Sequence, residues 1–169
     1  MASAEENLMD WLRDAHAMEE QAEKMLDATA SRMENYPEFR ARLLSHLEET
    51  REQARLVRGC IDRRGGDTST LKDMAGKVMA TAQGMSGMFV SDEVVKATMA
   101  SYTFEHMEIA SYRSLIAAAE AVGDSETRMV CERILPQEEA MAQWLADYLP
   151  VVTQQFLQRE ETPGATAKH

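Results

Sequence analysis

Five glutamates stand where a helical core would place apolar side chains: Glu19, Glu49, Glu105, Glu108 and Glu138. His46 and Gln53 share the stripe of Glu49, and the stripes are otherwise mostly Leu, Met, Ala, Val or Phe. A buried carboxylate is unfavourable unless it is paired, protonated or bound to a cation. One such residue is ordinary at a helix edge, whereas a set drawn from every helix implies an internal metal site. Hard divalent cations want carboxylate oxygens, and a mixed carboxylate and imidazole shell suits iron or manganese. Four bound carboxylates would balance two divalent ions. Such ions, about 4 Å apart, can bind and reduce oxygen or peroxide while each changes oxidation state by one.

The positions suggest roles. Glu49 and Glu138 are the bridging candidates, with Glu19 and Glu105 or Glu108 as terminal or chelating ligands. His46, one turn before Glu49, either completes one metal's shell or is a satisfied core histidine. Gln53 and Tyr112 sit behind the ligands, Tyr112 as a hydrogen-bond donor or electron source. His106 reads as a packing residue, His16 as a lesser ligand candidate, and the methionines as core filler.

Four helices must carry these residues. The first has the stripe Leu8, Leu12, Ala15, Glu19, Ala22, Leu26, Thr29 and Met33, in steps of four and three. Asn35-Tyr36-Pro37 ends it. The second, from Glu38 to Arg64, has Phe39, Leu43, His46, Glu49, Gln53, Leu56 and Cys60 on one face. After Gly65-Gly66, the stretch from Thr70 to Val90 predicts a short crossover helix. Ser91 caps the third long helix, with Asp92 and Glu93 in its first turn. Its stripe is Val94, Thr98, Ser101, Glu105, Glu108, Tyr112, Leu115, Ala119 and Val122. Gly123-Asp124 turns the chain into a fourth helix with Cys131, Ile134, Glu138, Met141, Leu145 and Tyr148 on one face, and Pro150 ends or bends it. The expected fold is all-α: a ferritin-like antiparallel four-helix bundle with a short crossover helix between helices two and three. The acids lie roughly 20–25 Å from their turns at about 1.5 Å per residue, so they share one level.

The chain of 169 residues is long enough for one buried core, expected over residues 1–158, with a polar, disordered tail over 159–169. A net charge of -11 with scattered Lys and Arg argues against nucleic acid. No signal peptide and no membrane span are visible. Two cysteines far apart, Cys60 and Cys131, read as reduced core thiols, which fits a cytoplasmic protein.

At these residues the chain resembles the YciE/YciF-type ferritin-like stress proteins. The similarity rests on DAHAMEEQ from Asp14, HLEETREQ from His46, EHMEIASY from Glu105 and QEEAMAQWL from Gln137, and extends over about residues 5 to 150. It implies a bacterial, cytoplasmic homodimer with a rubrerythrin-like dimetal site at Glu19, Glu49, Glu105, Glu108 and Glu138. Di-iron ferritins and rubrerythrins pair Glu with His three residues later in two helices. Here those positions hold Glu52 and Met141, and Ala142 stands where an acid is common. Pro136 precedes Glu138 inside the fourth helix. The expected function is a dimetal stress protein with peroxidase or ferroxidase-type activity. The alternative is a non-catalytic bundle working through dimer or partner surfaces, with a vestigial acidic band.

Overall fold

The computed structural model describes residues 2–66 and 92–167. Four helices make up the described fold, and no strand occurs among the described residues: α1 (Ala4–Arg32), α2 (Pro37–Arg63), α3 (Glu93–Val122) and α4 (Ser125–Glu160). The expected crossover helix and the Ser91 cap lie outside the described residues.

Local chemistry sets the helix ends. Ser3 and Glu6 form a capping box at α1, each side chain accepting from the other's backbone N–H, at 3.2 and 2.7 Å. Pro37 opens α2, where its missing N–H leaves nothing unsatisfied. Gly123 ends α3 at φ 74°, a left-handed value that favours glycine. Asp124 then caps α4 by accepting from the Thr127 N–H at 3.1 Å. The same carboxylate accepts from Arg63 and Arg64 at 2.6 Å each, tying the end of α2 to the α3–α4 turn.

α1 pairs with α2 and α3 with α4, while α1 packs on α3 and α2 on α4. The level of contact shows the directions. One apolar cluster joins Leu8, Leu12 and Ala15 near the start of α1 to Tyr112, Leu115 and Ala119 near the end of α3. It also joins Val57, Cys60 and Ile61 near the end of α2 to Cys131 and Ile134 near the start of α4. All neighbouring helices therefore run antiparallel. A second cluster holds Leu26, Met33, Tyr36, Phe39 and Leu43 with Met141, Leu145, Tyr148, Val152 and Phe156. The two clusters leave a polar layer between them.

α4 continues through Pro136 and Pro150 to Glu160, so Pro150 does not end it. Val152 and Phe156 are buried beyond that proline. Burying two such side chains, at about 1.5–3 kcal/mol each, offsets the roughly 3 kcal/mol that an interior proline costs. Past α4, the Tyr36 hydroxyl donates to the Ala167 carbonyl at 2.6 Å, and Arg159 Nε donates to the Thr166 carbonyl at 2.8 Å. No helix of the described residues is long and apolar enough to cross a membrane.

Candidate metal centre

All four helices contribute to the polar layer. α1 brings Glu19, α2 brings His46 and Gln53, α3 brings Glu105, Glu108 and Tyr112, and α4 brings Glu138. Each of these residues is buried, with Glu19, Gln53, Tyr112 and Glu138 wholly inaccessible. On α3, the steps from Ser101 to Glu105, Glu108 and Tyr112 keep these residues on one inward face.

Four side chains converge: His46, Glu105, Glu108 and Glu138 each place one ligand atom within 4.8 Å of the others. His46 Nε2 lies 3.2 Å from Glu105 Oε2 and 3.5 Å from Glu138 Oε2. Gln53 Nε2 donates to Glu138 Oε1, and to Gln137 Oε1 at 3.0 Å. The Tyr112 hydroxyl donates to Glu19 Oε1. Gln137, which the periodicity did not single out, thus anchors the amide that holds Glu138. Nothing in its type or spacing announces that role.

Glu19 faces the same layer but stands outside the group of four. The charge of Glu138 acts on it, and Tyr112 holds one of its oxygens. Glu49 also stands outside the group. Its side chain is 32% exposed, and its Oε2 lies 2.7 Å from His46 Nδ1. The buried face of α2 runs through His46, Thr50, Gln53 and Val57, so the expected stripe through Glu49 and Leu56 is displaced by one residue in mid-helix. The centre of this buried face lies on the Thr50 side of His46, and at 100° per residue Glu49 falls about 60° to the other side of His46, at the solvent edge. The two positions that correspond to the histidines of di-iron ferritins and rubrerythrins go elsewhere. Glu52 pairs with Arg55 at the surface at 2.6 Å, and Met141 is core. The imidazole of this layer comes instead from His46, one turn before Glu49.

His16 and His106 stay apart from this group. His106 meets Tyr102 edge-on with ring centroids 4.6 Å apart. His16 is buried one turn before Glu19, with Nδ1 3.9 Å from Glu20 Oε2. Cys60 and Cys131 are free, buried thiols.

The layer's electrostatics are those of crowded acids. Burial, then the charge of Glu138, pushes Glu19 and Glu108 well above the usual carboxylate range. Burial raises Glu105 to about 7, with His46 opposing the shift. For His46, burial disfavours the imidazolium, yet the facing carboxylates of Glu105, Glu138 and Glu49 outweigh it and push the pKa up to about 12. Glu49 is held below its ordinary value by His46. Several polar atoms have no hydrogen-bond partner among the described residues: Glu19 Oε2, Glu105 Oε2, Glu138 Oε2 and Gln53 Oε1. Buried oxygens left unsatisfied are unfavourable by about 1–3 kcal/mol each, and a cation at their centre would satisfy them. The donor set of carboxylates with one imidazole suits iron or manganese.

Comparison with known proteins agrees with this architecture. Residues 3–158 match the family described as a domain of unknown function, DUF892. A crystal structure of a protein from Xanthomonas campestris pv. campestris is 40% identical, with a TM-score of 0.80 over 95% of this chain and 100% of that one. The Escherichia coli stress protein YciF shares the fold at 22% identity and a TM-score of 0.71, over 88% of this chain and 96% of that one. YcfI, a putative structural protein from Rhodopseudomonas palustris, is 26% identical with a TM-score of 0.67, over 86% of this chain and 94% of that one. The chain belongs to the DUF892 family, and the YciE/YciF-type resemblance of its motifs stands.

Proposed function

We propose that this bundle, with residues 1–158 as its structural unit, holds two divalent metal ions in its polar layer. Iron is the first candidate and manganese the second. The observation that carries the reading is the convergence of His46, Glu105, Glu108 and Glu138 among buried oxygens that lack partners. Those four, with Glu19 completing the set, would hold the ions, and four carboxylates would neutralise two divalent charges. When bound, such ions supply one electron each to dioxygen or a hydroperoxide.

The protein's own contribution is positional. Gln53 fixes one oxygen of Glu138 and leaves the other facing the centre. Tyr112 fixes one oxygen of Glu19 in the same way, and its hydroxyl is the nearest candidate proton or electron donor to that carboxylate. The apolar clusters on either side keep bulk water from the layer. Peroxide reduction or ferroxidase-type oxidation during oxidative stress, by a cytoplasmic homodimer, is the activity this arrangement supports. The name of YciF, a stress protein, points the same way. YcfI is described as structural, which favours the alternative of a non-catalytic bundle acting through dimer or partner surfaces.

Melting in the presence and absence of metal separates the two. Ions that bind only the native state stabilise it by about 2.7 kcal/mol at a hundredfold excess over the dissociation constant. Addition of Mn(II), or of Fe(II) without oxygen, should raise the melting temperature of the parent and leave Glu138→Gln unmoved. An equal rise in both would place the ions elsewhere, and no rise in either would favour the non-catalytic bundle.

A further inference from the structure

Glu49 meets the buried group through His46. Its Oε2 lies 2.7 Å from His46 Nδ1, while His46 Nε2 faces Glu105 Oε2 at 3.2 Å and Glu138 Oε2 at 3.5 Å. The imidazole therefore spans the layer's edge, with one nitrogen toward Glu49 and the other toward the centre. The side chain of His46 is 1% exposed and that of Glu49 is 32% exposed. Arg42 Nη1 stands 3.8 Å from the same Glu49 oxygen, on the outer side of the pair.

An imidazole nitrogen can bind a metal only through a free lone pair. A neutral His46 that offers Nε2 to an ion must carry its proton on Nδ1, and the Glu49 carboxylate is the group placed to accept that hydrogen bond. A carboxylate in this position fixes the ring's orientation and tautomer and makes the opposite nitrogen a stronger donor.

We infer that Glu49 is a positioning residue for His46 and not itself a ligand. This rests on the metal reading above. Glu49 lies outside the converging group, and its place on α2 turns it about 60° from His46, away from the buried side that holds Thr50. Its carboxylate holds the imidazole at Nδ1, while Glu138 belongs to the group that would hold the ions.

Co(II) is a suitable probe because its binding is read optically and its ligand protons are shifted in NMR spectra. Parent, Glu49→Gln, Glu49→Ala and Glu138→Gln are titrated with Co(II), and each metal-free variant is checked for helicity. Gln keeps an oxygen that can accept from Nδ1–H, whereas Ala does not. The expected result is Co(II) affinity within about threefold of the parent for Glu49→Gln and a loss of about 10–100-fold for Glu49→Ala. The Co(II)-loaded parent and Glu49→Gln should each show one strongly shifted, exchangeable imidazole N–H signal. That signal should move or vanish in Glu49→Ala.

If Glu49→Gln loses Co(II) as severely as Glu138→Gln, Glu49 is a ligand and the positioning role is overturned while the metal reading survives. If Glu49→Ala keeps parental affinity and the same N–H signal, Glu49 is neither ligand nor positioner. A parent that takes up no Co(II), Mn(II) or Fe(II) removes the metal reading and the positioning role together. Should Glu49→Ala fail to fold, the comparison of Glu49→Gln with Glu138→Gln and the N–H signal decide the matter.

Discussion

His46 and the carboxylates around it form a set in which protons and metal compete for the same atoms. Without metal, burial favours the protonated forms of Glu19 and Glu108 and raises Glu105 to about 7, while the acidic partners of His46 favour its imidazolium. A carboxyl whose folded pKa exceeds its unfolded value stabilises the native state fully below the unfolded value. That contribution fades as pH rises through the folded value. For Glu105 the window runs from about 4.5 to about 7. His46 acts in the same sense over a higher window, from about 6.5 to about 12. Glu49 acts oppositely, since its lowered pKa stabilises above the ordinary carboxylate range and is lost as pH falls.

The sum favours protons, so metal-free protein should lose stability between about pH 5 and pH 8. The loss is read against Glu105→Gln, which lacks that titrating group and should show a shallower slope. Metal should raise the melting temperature more at the higher pH, where fewer protons compete. Identical slopes in parent and variant would show that Glu105 titrates as an ordinary exposed acid.

At the scale of the elements, the α3–α4 turn shows how few residues hold the second hairpin in register. Gly123 adopts φ 74°, and a Cβ added there would meet nothing within 4 Å. Gly123→Ala should therefore destabilise through backbone conformation alone, by about 1 kcal/mol, seen as a lower denaturation midpoint with an unchanged slope. A neutral substitution would mean that the turn relaxes to another conformation.

Much of this level could be read from residue types. The stripes of α1 and α4 are buried as their periodicity predicts, from Leu8 to Met33 and from Cys131 to Tyr148. The misplacement in α2 has a geometric cause. Both His46–Glu49–Gln53 and His46–Thr50–Gln53 are legal steps of three and four, and side-chain type alone does not choose between them. Packing chooses Thr50 and puts Glu49 at the edge. Pro150 misleads for a different reason. The proline signal is local, while the burial of Val152 and Phe156 that overrides it is tertiary.

In the whole molecule, two apolar clusters bracket one polar layer, and each helix delivers at least one acid or its partner to that layer. The shared level was legible because acids at similar distances from two tight turns must meet when the hairpins pack. The identity of hydrogen-bond partners such as Gln137 was not, since it depends on side-chain direction across helices. Family membership and fold agree with the motif reading over residues 3–158. The central claim is that the layer is built to hold metal, and anomalous X-ray scattering from crystals of protein loaded with iron without oxygen tests it most directly. At the iron edge we predict anomalous peaks inside the bundle, within about 2.0–2.4 Å of His46 Nε2 and of oxygens from Glu105, Glu108 and Glu138. Anomalous signal only at surface acids, or none at this level in protein shown to be folded, would contradict the account.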